Sequence, residues 1–384
     1  MYNIALLGFG TVCQGVYDQI NEWNKTSNKQ ITIKKILIRN YEKYKNTYPN
    51  INIFDDNWSN FTNENFDFVI SALGGINPEY KYIKFFLKNK IPVITANKAV
   101  VAAYFDILTS LSLKNNTPFL YEASVGGGTY IVKAIKDISS YSKINNIEGI
   151  LNGTSNYILS CIDKGYNFDN SLLEAQNLGF AEADPSSDLE GFDLLNKITI
   201  LSNLAFNTCL KPSQISILPL PHLSNVDLEW LKSNNYSLKY IASANRKENS
   251  LYIDVFPLVI SNNHLYNSID YSKNIISIKS DSFNHLSFIG EGAGKNPTAS
   301  AIISDMFNLL NYSNFKNITM DNSFNLIFEK AKYYIRLPIN SKWSKNLLSY
   351  NCNENECYGI IEIDNLELRN ELLKDSYALL KLEE

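Results

Sequence analysis

An acidic stretch that ends in a lysine carries the clearest chemistry in this sequence. Between Gly179 and Lys197 the chain reads GFAEADPSSDLEGFDLLNK, and its acids are Glu182, Asp184, Asp188, Glu190 and Asp193. Asp193 and Lys197 are four residues apart, so on a helix they share a face about one turn apart. Carboxylates gathered around one lysine could bind a substrate ammonium group or tune that lysine for proton transfer. A solvent-exposed helix pair is the alternative, because such pairs are common on protein surfaces.

The residues around this cluster predict a turn followed by a helix. Pro185 lies where a turn ends, and Ser187-x-x-Glu190 has the form of a capping box, in which each side chain accepts from the other residue's backbone N–H. Apolar residues then recur at helical spacing and form the predicted buried side: Leu189, Phe192, Leu194, Leu195 and Ile198. The loop before this helix brings Glu182 and Asp188 near the acid–lysine pair.

The first elements of the chain have the order strand, glycine turn and helix. An apolar strand over 2–7 leads into Gly8-Phe9-Gly10-Thr11-Val12, and apolar residues at helical spacing follow. The first glycine permits the tight turn, the second lets a pyrophosphate approach the backbone, and the helix N-terminus offers its N–H groups. This context favours a dinucleotide site over a purely structural turn. A cysteine, Cys13, stands where the third fingerprint glycine is expected.

The end of the second predicted strand bears on the choice of cofactor. The strand over 31–39 ends in Arg39. In NAD-binding folds an acidic residue usually stands at this position and accepts a hydrogen bond from the ribose 2′-hydroxyl. A cation there suits the 2′-phosphate of NADP, so the sequence favours NADP while leaving NAD open. An ordinary surface arginine at a strand end is the alternative.

Further strand and helix units follow in alternation. A strand over 66–72 leads into Gly74, and a strand over 91–95 leads into Lys98 and another helix. Alternation of this kind predicts a doubly wound parallel sheet with its ligands at the carboxyl ends of the strands. A lysine at a helix N-terminus opposes the helix dipole, so Lys98 is either a solvated lysine or lies beside an anionic ligand.

The pattern changes after about residue 130. A strand runs into the polar turn 151–156, which includes Gly153 and Thr154, and a helix follows to Asp163. Strands over 251–259 and 275–278 alternate as in an open sheet. A second glycine turn, GEGAGKNPTAS from 290 to 300, contains Gly292 and feeds a helix. This turn predicts that the chain returns to the nucleotide domain.

Composition excludes several classes of protein. The chain has 384 residues, of which 45% are hydrophobic, so it can bury the cores of two or three domains. A net charge of −4 without a basic face argues against a nucleic-acid partner. The apolar runs are shorter than the ~20 residues that cross a bilayer, and the start lacks the features of a signal peptide. The five cysteines are scattered, which predicts neither a zinc site nor disulfides and suits a reduced, cytoplasmic protein.

Taken together, these segments resemble the homoserine dehydrogenase family. The matching pieces follow the family's order over about residues 1–310: GFGTV, VITANKA, YEASVGGG, ILNGTSNYIL, GFAEADPSSDLEGFDLLNK and GEGAGKNPTAS. The resemblance implies reversible NAD(P)-dependent oxidation of L-homoserine to L-aspartate 4-semialdehyde, in threonine, methionine and isoleucine biosynthesis. It also implies a homodimer, a nucleotide domain over 1–130 with 293–312, and an α+β catalytic (substrate) and dimerisation domain with a mixed sheet over 131–292.

The resemblance assigns roles residue by residue. Lys98 and Lys197 resemble the pair that manages the hydroxyl proton, without a choice between them as the principal base. The implied substrate-binding residues are Glu182, Asp188, Asp193, Gly153 and Thr154. The implied cofactor-binding residues are Gly8, Phe9, Gly10, Thr11, Val12, Arg39, Gly74, Lys98 and Gly292. Glu122, with the backbone carbonyls of Val125, Gly127 and Thr129, resembles a sodium site.

The chain departs from the family pattern at several points. Cys13 replaces the fingerprint glycine, Phe180 stands where tyrosine is usual, and Thr129-Tyr130 replaces the usual Ile-Pro. These departures support one alternative, a catalytically weakened cofactor-binding or regulatory homologue. A second rival is aspartate-semialdehyde dehydrogenase, which needs a nucleophilic cysteine that is not found at a strand end beside the proposed site.

The C-terminal stretch resembles a truncated ACT domain over 330–384. The predicted elements are strands over 333–339, 357–363 and 376–382, with helices over 341–350 and 365–374. The Asp-x-Pro-Gly turn that normally follows the first strand is replaced by Asn340-Ser341-Lys342-Trp343. An intact amino-acid effector pocket is therefore not expected.

Overall fold

A computed structural model describes residues 1–311 and 323–383 of the chain, which form two compact units. The first unit comprises the described residues of Met1–Asp137, Asn203–Lys211 and Glu291–Met320. The second comprises those of Ile138–Ser202, Pro212–Gly290 and Asp321–Glu384. The domain limits expected at residues 312 and 384 lie outside the described residues.

Helices and strands alternate through the first third of the chain, and longer strands follow. The α-helices of the described chain are α1 (Thr11–Thr26), α2 (Tyr41–Thr47), α3 (Trp58–Thr62), α4 (Glu79–Lys88), α5 (Lys98–Ala103), α6 (Phe105–Asn115), α7 (Ile131–Ser139), α8 (Gly153–Asp163), α9 (Phe168–Asn177), α10 (Ser186–Leu189), α11 (Phe192–Phe206), α12 (Asn225–Ser233), α13 (Lys295–Asn311) and α14 (Leu366–Asp375). The strands are β1 (Tyr2–Leu7), β2 (Ile31–Leu37), β3 (Phe54–Asp55), β4 (Phe68–Ser71), β5 (Val93–Thr95), β6 (Phe119–Leu120), β7 (Ile144–Ile150), β8 (Ser216–Ile217), β9 (Tyr236–Lys247), β10 (Ser250–Ser261), β11 (Lys273–Ser280), β12 (Phe283–Glu291), β13 (Asn325–Leu326), β14 (Ala331–Pro338), β15 (Ser349–Cys352), β16 (Glu356–Ile363) and β17 (Ala378–Leu382).

Within the described residues of the first unit, six strands form a parallel sheet. Their order is β3-β2-β1-β4-β5-β6, the order of a doubly wound nucleotide-binding sheet. The residues from Ile4 to Leu7 in β1 are fully buried, as a central parallel strand covered on both faces requires. The α/β class with a Rossmann-type sheet, which the sequence predicts, is confirmed.

The turns after β1 and β4 meet where the strand order reverses. Gly8 has a φ of +96°, and a Cβ there would lie 3.0 Å from Leu73 Cδ2 and 3.1 Å from the Ala72 carbonyl oxygen. Glycine is therefore required both for the backbone conformation and for the close approach. Ligands of doubly wound sheets bind at the carboxyl ends of the strands at such a reversal.

Helix α13 packs against α1 in the first unit. A Cβ on Gly15 would lie 2.9 Å from the Cβ of Ala299, so only glycine permits this contact. Ile302 and Met306 of the same helix are fully buried in the core that contains β1. The second glycine turn thus leads the chain back to the nucleotide-type sheet.

The second unit is built on a mixed sheet. Among its described residues the strand order is β12-β11-β7-β9-β10-β17-β14-β16-β15, and β8 and β13 also pair with β10. Strand β10 pairs antiparallel with β9 and parallel with β17, so the mixed sheet that the sequence predicts is confirmed. The antiparallel pairing of β7 with β9 and β11 places the end of β7, and the turn after it, beside the acidic stretch described below.

The acidic stretch forms two helices, and the predicted capping box is wrong. The carboxylate of Asp184 accepts from the backbone N–H and the hydroxyl of Ser186, so α10 begins before Ser187. Gly191, with a φ of +86°, separates α10 from α11. The predicted buried side holds for Leu194, Leu195 and Ile198 but not for Phe192, which is 47% exposed.

The C-terminal segment continues the sheet of the second unit. Strand β17 lies between β10 and β14 in that sheet, and an ACT-like domain is not confirmed. The predicted helix over 341–350 is wrong. Residues Lys342–Asn346 form a short 3₁₀ turn, and Ser349–Cys352 pair with β16 as an edge strand. Pairing with β16 supplies hydrogen bonds that an isolated amphipathic pattern does not reveal.

A disulfide joins Cys352 to Cys357, contrary to the expectation of no disulfides. The register of the β15–β16 hairpin places these two residues directly opposite each other, with their Cα atoms 4.1 Å apart. Their separation of five residues in the sequence therefore becomes a cross-strand pair. The other cysteines, Cys13, Cys161 and Cys209, are free thiols.

The described ranges contain neither a membrane-spanning helix nor a cluster of metal-ligating side chains. No helix within 1–311 and 323–383 is long and apolar enough to cross a bilayer. In the same ranges, no group of three or more His, Cys, Asp or Glu side chains is arranged to hold a metal ion.

Candidate active site

The acid–lysine pair of the second unit is buried rather than solvated. The Nζ of Lys197 donates to Asp193 Oδ2 at 2.8 Å and to the Leu151 carbonyl oxygen at 2.5 Å. Lys197 is 6% exposed and Asp193 2% exposed. The geometry contradicts the surface-pair alternative, because charges this deeply buried persist only when paired and hydrogen bonded.

Asn152 links the pair to a second acid. Its side-chain nitrogen donates to Asp188 Oδ1 at 2.7 Å and to Asp193 Oδ2 at 2.8 Å. Its side-chain oxygen accepts from the backbone N–H of Ser155 and so caps α8. One buried amide therefore joins α8, α10 and α11. Sequence reasoning missed this residue, although an asparagine directly before a predicted helix is a recognised N-cap signal.

The remaining predicted substrate residues lie near the start of α8 or in the loop before α10. Thr154 donates its hydroxyl to the Phe180 carbonyl oxygen at 2.6 Å, which ties that loop to α8. Gly153 is the first residue of α8, and a Cβ there would lie 3.0 Å from the Ser272 carbonyl oxygen. Glu182 is exposed, and its backbone carbonyl accepts from Gln176. The structure thus groups Asp188 with the buried pair and leaves the Glu182 carboxylate at the surface.

The break between α10 and α11 is fixed by long-range packing. A Cβ on Gly191 would lie 2.2 Å from the hydroxyl oxygen of Tyr240 and 3.1 Å from Val255 Cγ1. Glycine is needed there for its positive φ as well. The break sets the relative positions of Asp188, on α10, and Asp193, on α11.

The predicted dinucleotide turn lies at the carboxyl end of β1 in the first unit. Gly10 is the N-cap of α1, no side chain caps that helix end, and a Cβ on Gly10 would meet nothing within 4 Å. Open backbone N–H groups at a helix start suit a pyrophosphate. Thr11 is exposed and Val12 half-buried at the start of α1, whereas Phe9 is buried in an aromatic cluster, 5.2 Å from the ring centres of Tyr48 and Phe54.

Cys13 fills the position of the missing fingerprint glycine as a packing residue. Its side chain is fully buried, and its sulfur lies 3.9 Å from the Leu7 carbonyl oxygen. Burial, together with repulsion from the Glu79 carboxylate, raises the pKa of the Cys13 thiol to about 12. The thiol is therefore neutral at physiological pH and acts as a small apolar spacer between helix and strand.

Arg39 lines an open surface pocket after β2. The pocket has a volume of about 470 Å³, and its lining comprises Arg39, Asn40, Tyr41, Glu42, Phe54, Asp55 and Asp56. Lys35 pairs with Asp55 at 3.1 Å and so offsets part of the acidic charge. A cation at this strand end is in the position from which a ribose substituent is read. Gly74 is exposed in the turn after β4, and a Cβ there would meet nothing within 4 Å.

Lys98 is the first residue of α5, directly after Asn97, and is half-buried. Asn97 caps α5 by accepting from Val100, and its amide nitrogen donates to Glu79 Oε2 at 2.6 Å. Glu79 is fully buried and also accepts from Ser71 and Thr95 at the ends of β4 and β5. Burial raises the pKa of the Glu79 carboxyl, while these hydrogen bonds lower it.

Sequence reasoning missed Glu79 because it reads as an ordinary acid in the first turn of α4. Its position directly after Pro78, at the start of a helix, is favourable for any carboxylate. Only the fold shows that the side chain points back to the strand ends that carry Asn97 and Lys98. The residue therefore supports a predicted site residue without having been predicted itself.

In the predicted sodium site, the Glu122 carboxylate binds backbone N–H groups of the next helix. Its two oxygens accept the backbone N–H groups of Val132 and Lys133 at 2.9 and 2.8 Å, which cap the start of α7. Thr129 is 6% exposed, and within the described chain its hydroxyl has no hydrogen-bond partner. Gly127 has a φ of +49°, and a Cβ there would lie 2.8 Å from the Glu291 carbonyl oxygen and 3.1 Å from the carbonyl carbon of Gly292, which is buried.

Comparisons with known proteins point to one family. A family model described as homoserine dehydrogenase matches residues 131–307. The homoserine dehydrogenase of Lactococcus lactis is 33% identical over 334 residues, which cover 84% of this chain and 77% of that protein. The homoserine dehydrogenase of Helicobacter pylori is 36% identical over 312 residues, which cover 80% of this chain and 73% of that protein.

A solved structure is similar over the whole length of the chain. The crystal structure of a homoserine dehydrogenase from Thiobacillus denitrificans superposes with a TM-score of 0.86 at 26% identity. The superposition covers 100% of this chain and 98% of that one. The similarity therefore extends through the C-terminal segment, which the family model does not reach.

Proposed function

Because this chain belongs to the homoserine dehydrogenase family, we propose that Asp193 and Lys197 form the proton-transfer part of its substrate site. The enzyme catalyses reversible, NAD(P)-dependent hydride transfer between L-homoserine and L-aspartate 4-semialdehyde. This reaction belongs to the biosynthesis of threonine, methionine and isoleucine. The observation that carries the residue assignment is the buried ion pair between Lys197 and Asp193.

The chemistry needs a group that removes a proton from the substrate hydroxyl. A nicotinamide cofactor bound at the turn after β1 would supply the acceptor for the hydride of the carbinol carbon. The hydroxyl must lose its proton in the same change, so that the C–O bond becomes a carbonyl. Lys197 is held by Asp193 and the Leu151 carbonyl oxygen, which fix the direction of its amine. Lys98 is the second lysine to which the family resemblance gives this role.

The acids of the second unit suit the ammonium group of the substrate. Asp188 and Asp193 lie on either side of the Asn152 amide, so two carboxylates are held at one place. Two fixed carboxylates attract a cation, and burial strengthens that attraction. We include Glu182, Gly153 and Thr154 in the substrate site on the family resemblance, with Thr154 acting through its bond to the loop at Phe180.

For the cofactor, we propose that NADP is preferred and that the turn after β1 binds its pyrophosphate. The uncapped start of α1 and the open space beside Gly10 support pyrophosphate binding at this turn. Arg39 supports the preference for NADP, since it lines the pocket after β2. Replacing Arg39 with alanine is expected to raise KM for NADP more than KM for NAD. Equal effects on both cofactors would contradict the preference.

A sodium ion is proposed at the loop that follows β6. The backbone carbonyls of Val125, Gly127 and Thr129 are oxygen ligands of the kind that a hard cation prefers. The buried hydroxyl of Thr129, which has no hydrogen-bond partner among the described residues, supports the proposal. The Glu122 carboxylate already caps α7, so this residue would contribute its backbone oxygen. Such an ion would order the loop beside Gly292. We also propose a homodimer in the cytoplasm, on the family resemblance.

The direct test is nicotinamide absorbance with L-homoserine and either NADP or NAD. Wild type is expected to reduce both cofactors to a measurable extent. Lys197→Ala is expected to lower kcat by roughly 100- to 10,000-fold, the usual contribution of a positioned general base. Lys98→Ala, measured in parallel, shows which lysine carries the larger share of proton transfer.

Two controls separate chemistry from folding and cofactor binding. Lys25 pairs with Glu22 on the exposed face of α1, so Lys25→Ala removes an acid–lysine pair of similar spacing at the surface. That variant is expected to keep wild-type rates. Quenching or enhancement of NADPH fluorescence should give the same cofactor affinity for Lys197→Ala as for wild type. An active Lys197→Ala enzyme would refute the proposed role, and an inactive wild type would count against the function.

A further inference from the structure

The turn from Leu151 to Thr154 contacts each of the segments that carry the proposed substrate residues. The Leu151 carbonyl accepts from Lys197 on α11, and the Thr154 hydroxyl donates to Phe180 in the loop before α10. Between them, the Asn152 amide donates to Asp188 on α10 and to Asp193 on α11. These partners are 26 to 46 residues away along the chain. A four-residue turn therefore determines where three separate segments lie.

We propose that Asn152 is a positioning residue for hydride transfer, which sets the geometry and the charge of the Asp188, Asp193 and Lys197 group. The proposal rests on the substrate roles given above for those three residues. Asn152 touches no reacting atom in this account, and it acts through the two carboxylates.

Asn152 lies between two carboxylates that would otherwise repel each other. Their oxygens accept from the same nitrogen, so they lie within two hydrogen-bond lengths of each other. Two carboxylates at that separation repel each other, and the repulsion is larger where solvent is excluded. The amide places one N–H group on each carboxylate and adds no net charge. Asn152 therefore keeps both acids together while leaving Lys197 the positive partner of Asp193.

The side-chain type of Asn152 also matters. Asparagine offers an acceptor and two donors on one rigid group, and all three are used here. Serine or aspartate would also cap α8, since both are favoured N-cap residues, but neither would donate to two carboxylates. The cap alone thus does not require asparagine, whereas the bridge between the acids does.

The test compares Asn152 with a cap-only asparagine in the same unit. Asn167 caps α9 by accepting from the Asn170 backbone N–H at 2.8 Å. Purified Asn152→Ser, Asn152→Asp, Asn167→Ser and Asn167→Asp are compared with wild type for kcat, KM for L-homoserine and KM for NADP. Homoserine binding by calorimetry and thermal unfolding are measured on the same samples.

Asn152→Ser is expected to lower kcat/KM for homoserine by roughly 10- to 100-fold, because hydrogen bonds to two charged groups are lost. Asn152→Asp should lose more, because a third anion then faces the two acids, and its pH–rate profile should shift. KM for NADP should not change in either variant. Both Asn167 variants should keep wild-type kinetics. If capping were the whole role of Asn152, both variants would keep wild-type activity, because serine and aspartate are both favoured N-cap residues.

The outcomes that overturn the proposal are distinct from failure of the function. If wild type is active, and if Asn152→Ser and Asn152→Asp are both as active as wild type, the positioning role is refuted. If Asn152→Asp does not fold, the serine variant decides the question by the same criterion. A wild type without turnover counts against the proposed function. Calorimetry then still decides the role of Asn152, since unchanged homoserine binding by Asn152→Ser would refute it.

Discussion

At Gly191 there is no room for even one additional carbon atom. It combines a φ of +86° with a would-be Cβ position 2.2 Å from the Tyr240 hydroxyl oxygen. Within the described chain that hydroxyl is buried and has no hydrogen-bond partner, so its removal leaves no group unsatisfied. The tyrosine thus fills space beneath the break between α10 and α11 without forming a polar contact there.

Gly191→Ala is therefore expected to destabilise the protein by about 2–5 kcal/mol, as the sum of backbone strain and overpacking. Tyr240→Phe alone should have a small effect, because the hydroxyl is unpaired. In the Tyr240→Phe background, Gly191→Ala should cost about 1–3 kcal/mol less, since the closest clash is removed while the backbone strain and the contacts with Ile217 and Val255 remain. Urea unfolding of the four proteins measures this coupling. A cost that does not depend on residue 240 would show that the hydroxyl is not the obstacle.

Asp305 provides a residue-scale prediction about pH. It is 5% exposed, and it accepts from the Glu122 backbone N–H at 2.8 Å. Burial, and then repulsion from the Glu122 carboxylate, raise the pKa of Asp305 from 3.8 to about 7, while Lys133 and Lys136 act in the opposite direction. A raised carboxyl pKa means that the folded protein binds this proton more tightly than the unfolded chain does. Its stabilising contribution is full below pH 3.8 and is lost as pH rises through about 7.

Asp305→Asn keeps an acceptor for the Glu122 N–H and removes the titration. The variant is expected to match wild type below about pH 3.8 and to become steadily more stable than wild type as the pH rises to about 7, by at most about 4 kcal/mol for a shift of this size, with most of the change between pH 5 and 7. Chemical unfolding of both proteins between pH 5 and 8 measures the difference. If the two stability curves stay parallel over this range, Asp305 does not titrate there.

At the scale of elements, the sequence predicted what local signals determine. The glycine turn after β1, the helix start after Gly10 and the alternation of strands and helices follow from backbone conformations that few residues allow. The spacing of Asp193 and Lys197 likewise predicted their contact, because helix geometry is regular. These signals lie within a few residues of the structure that they specify.

The sequence predictions were wrong or incomplete where the local structure depends on residues that are distant in the sequence. Asp184 accepts from the Ser186 N–H, and α10 begins one residue before the predicted cap at Ser187, while Tyr240 and Val255 fix the break at Gly191. Residues 341–350 read as a helix because their pairing with β16 is not visible locally. Asn152 read only as part of a polar turn because its acidic partners follow 36 and 41 residues later.

The β15–β16 hairpin carries the element-scale prediction. The disulfide between Cys352 and Cys357 closes a loop of a few residues, so it removes little freedom from the unfolded chain. Under oxidising conditions, Cys352→Ser is expected to lower the free energy of unfolding by at most about 2 kcal/mol. In dithiothreitol the variant and wild type should unfold alike.

Thiol counting checks the bond itself. Of the five cysteines, three are free in this structure, so air-oxidised protein denatured without reductant should give three reactive thiols. Reduced protein should give all five. Five thiols in oxidised, denatured samples would show that the hairpin does not form the bond.

On the scale of the whole molecule, the C-terminal segment from residue 323 onward forms part of the sheet and the core of the second unit. Strand β17 lies between β10 and β14, and Tyr333, Ile335 and Leu379 are buried in the core that also contains Phe256 of β10. A buried ion pair adds a second link, since Arg369 of α14 donates to Asp254 of β10. Both links join the C-terminal segment to β10.

Arg369→Leu tests the polar link. Asp254 is fully buried, and it also accepts from Ser216 and Tyr252. Loss of the guanidinium leaves its charge without a cationic partner, which is expected to cost about 3–5 kcal/mol. Lys330→Ala, which removes an exposed pair with Glu362, is the control and should cost under about 1 kcal/mol. Thermal unfolding measures both, and equal effects would contradict the importance of the buried pair.

Deleting residues 323–384 tests whether the second unit can fold without the C-terminal segment. The deletion would expose the edge of β10 and uncover apolar residues of the shared core. Each such side chain is worth about 1.5–3 kcal/mol, so a handful of them equals the whole stability of a typical domain, about 5–15 kcal/mol. The shortened protein is therefore expected to aggregate, and an exposed hydrophobic strand edge would promote that aggregation. Size-exclusion chromatography and homoserine oxidation measure the result. A monodisperse, active shortened enzyme would show that the segment is a separable module and that β10 tolerates a free edge.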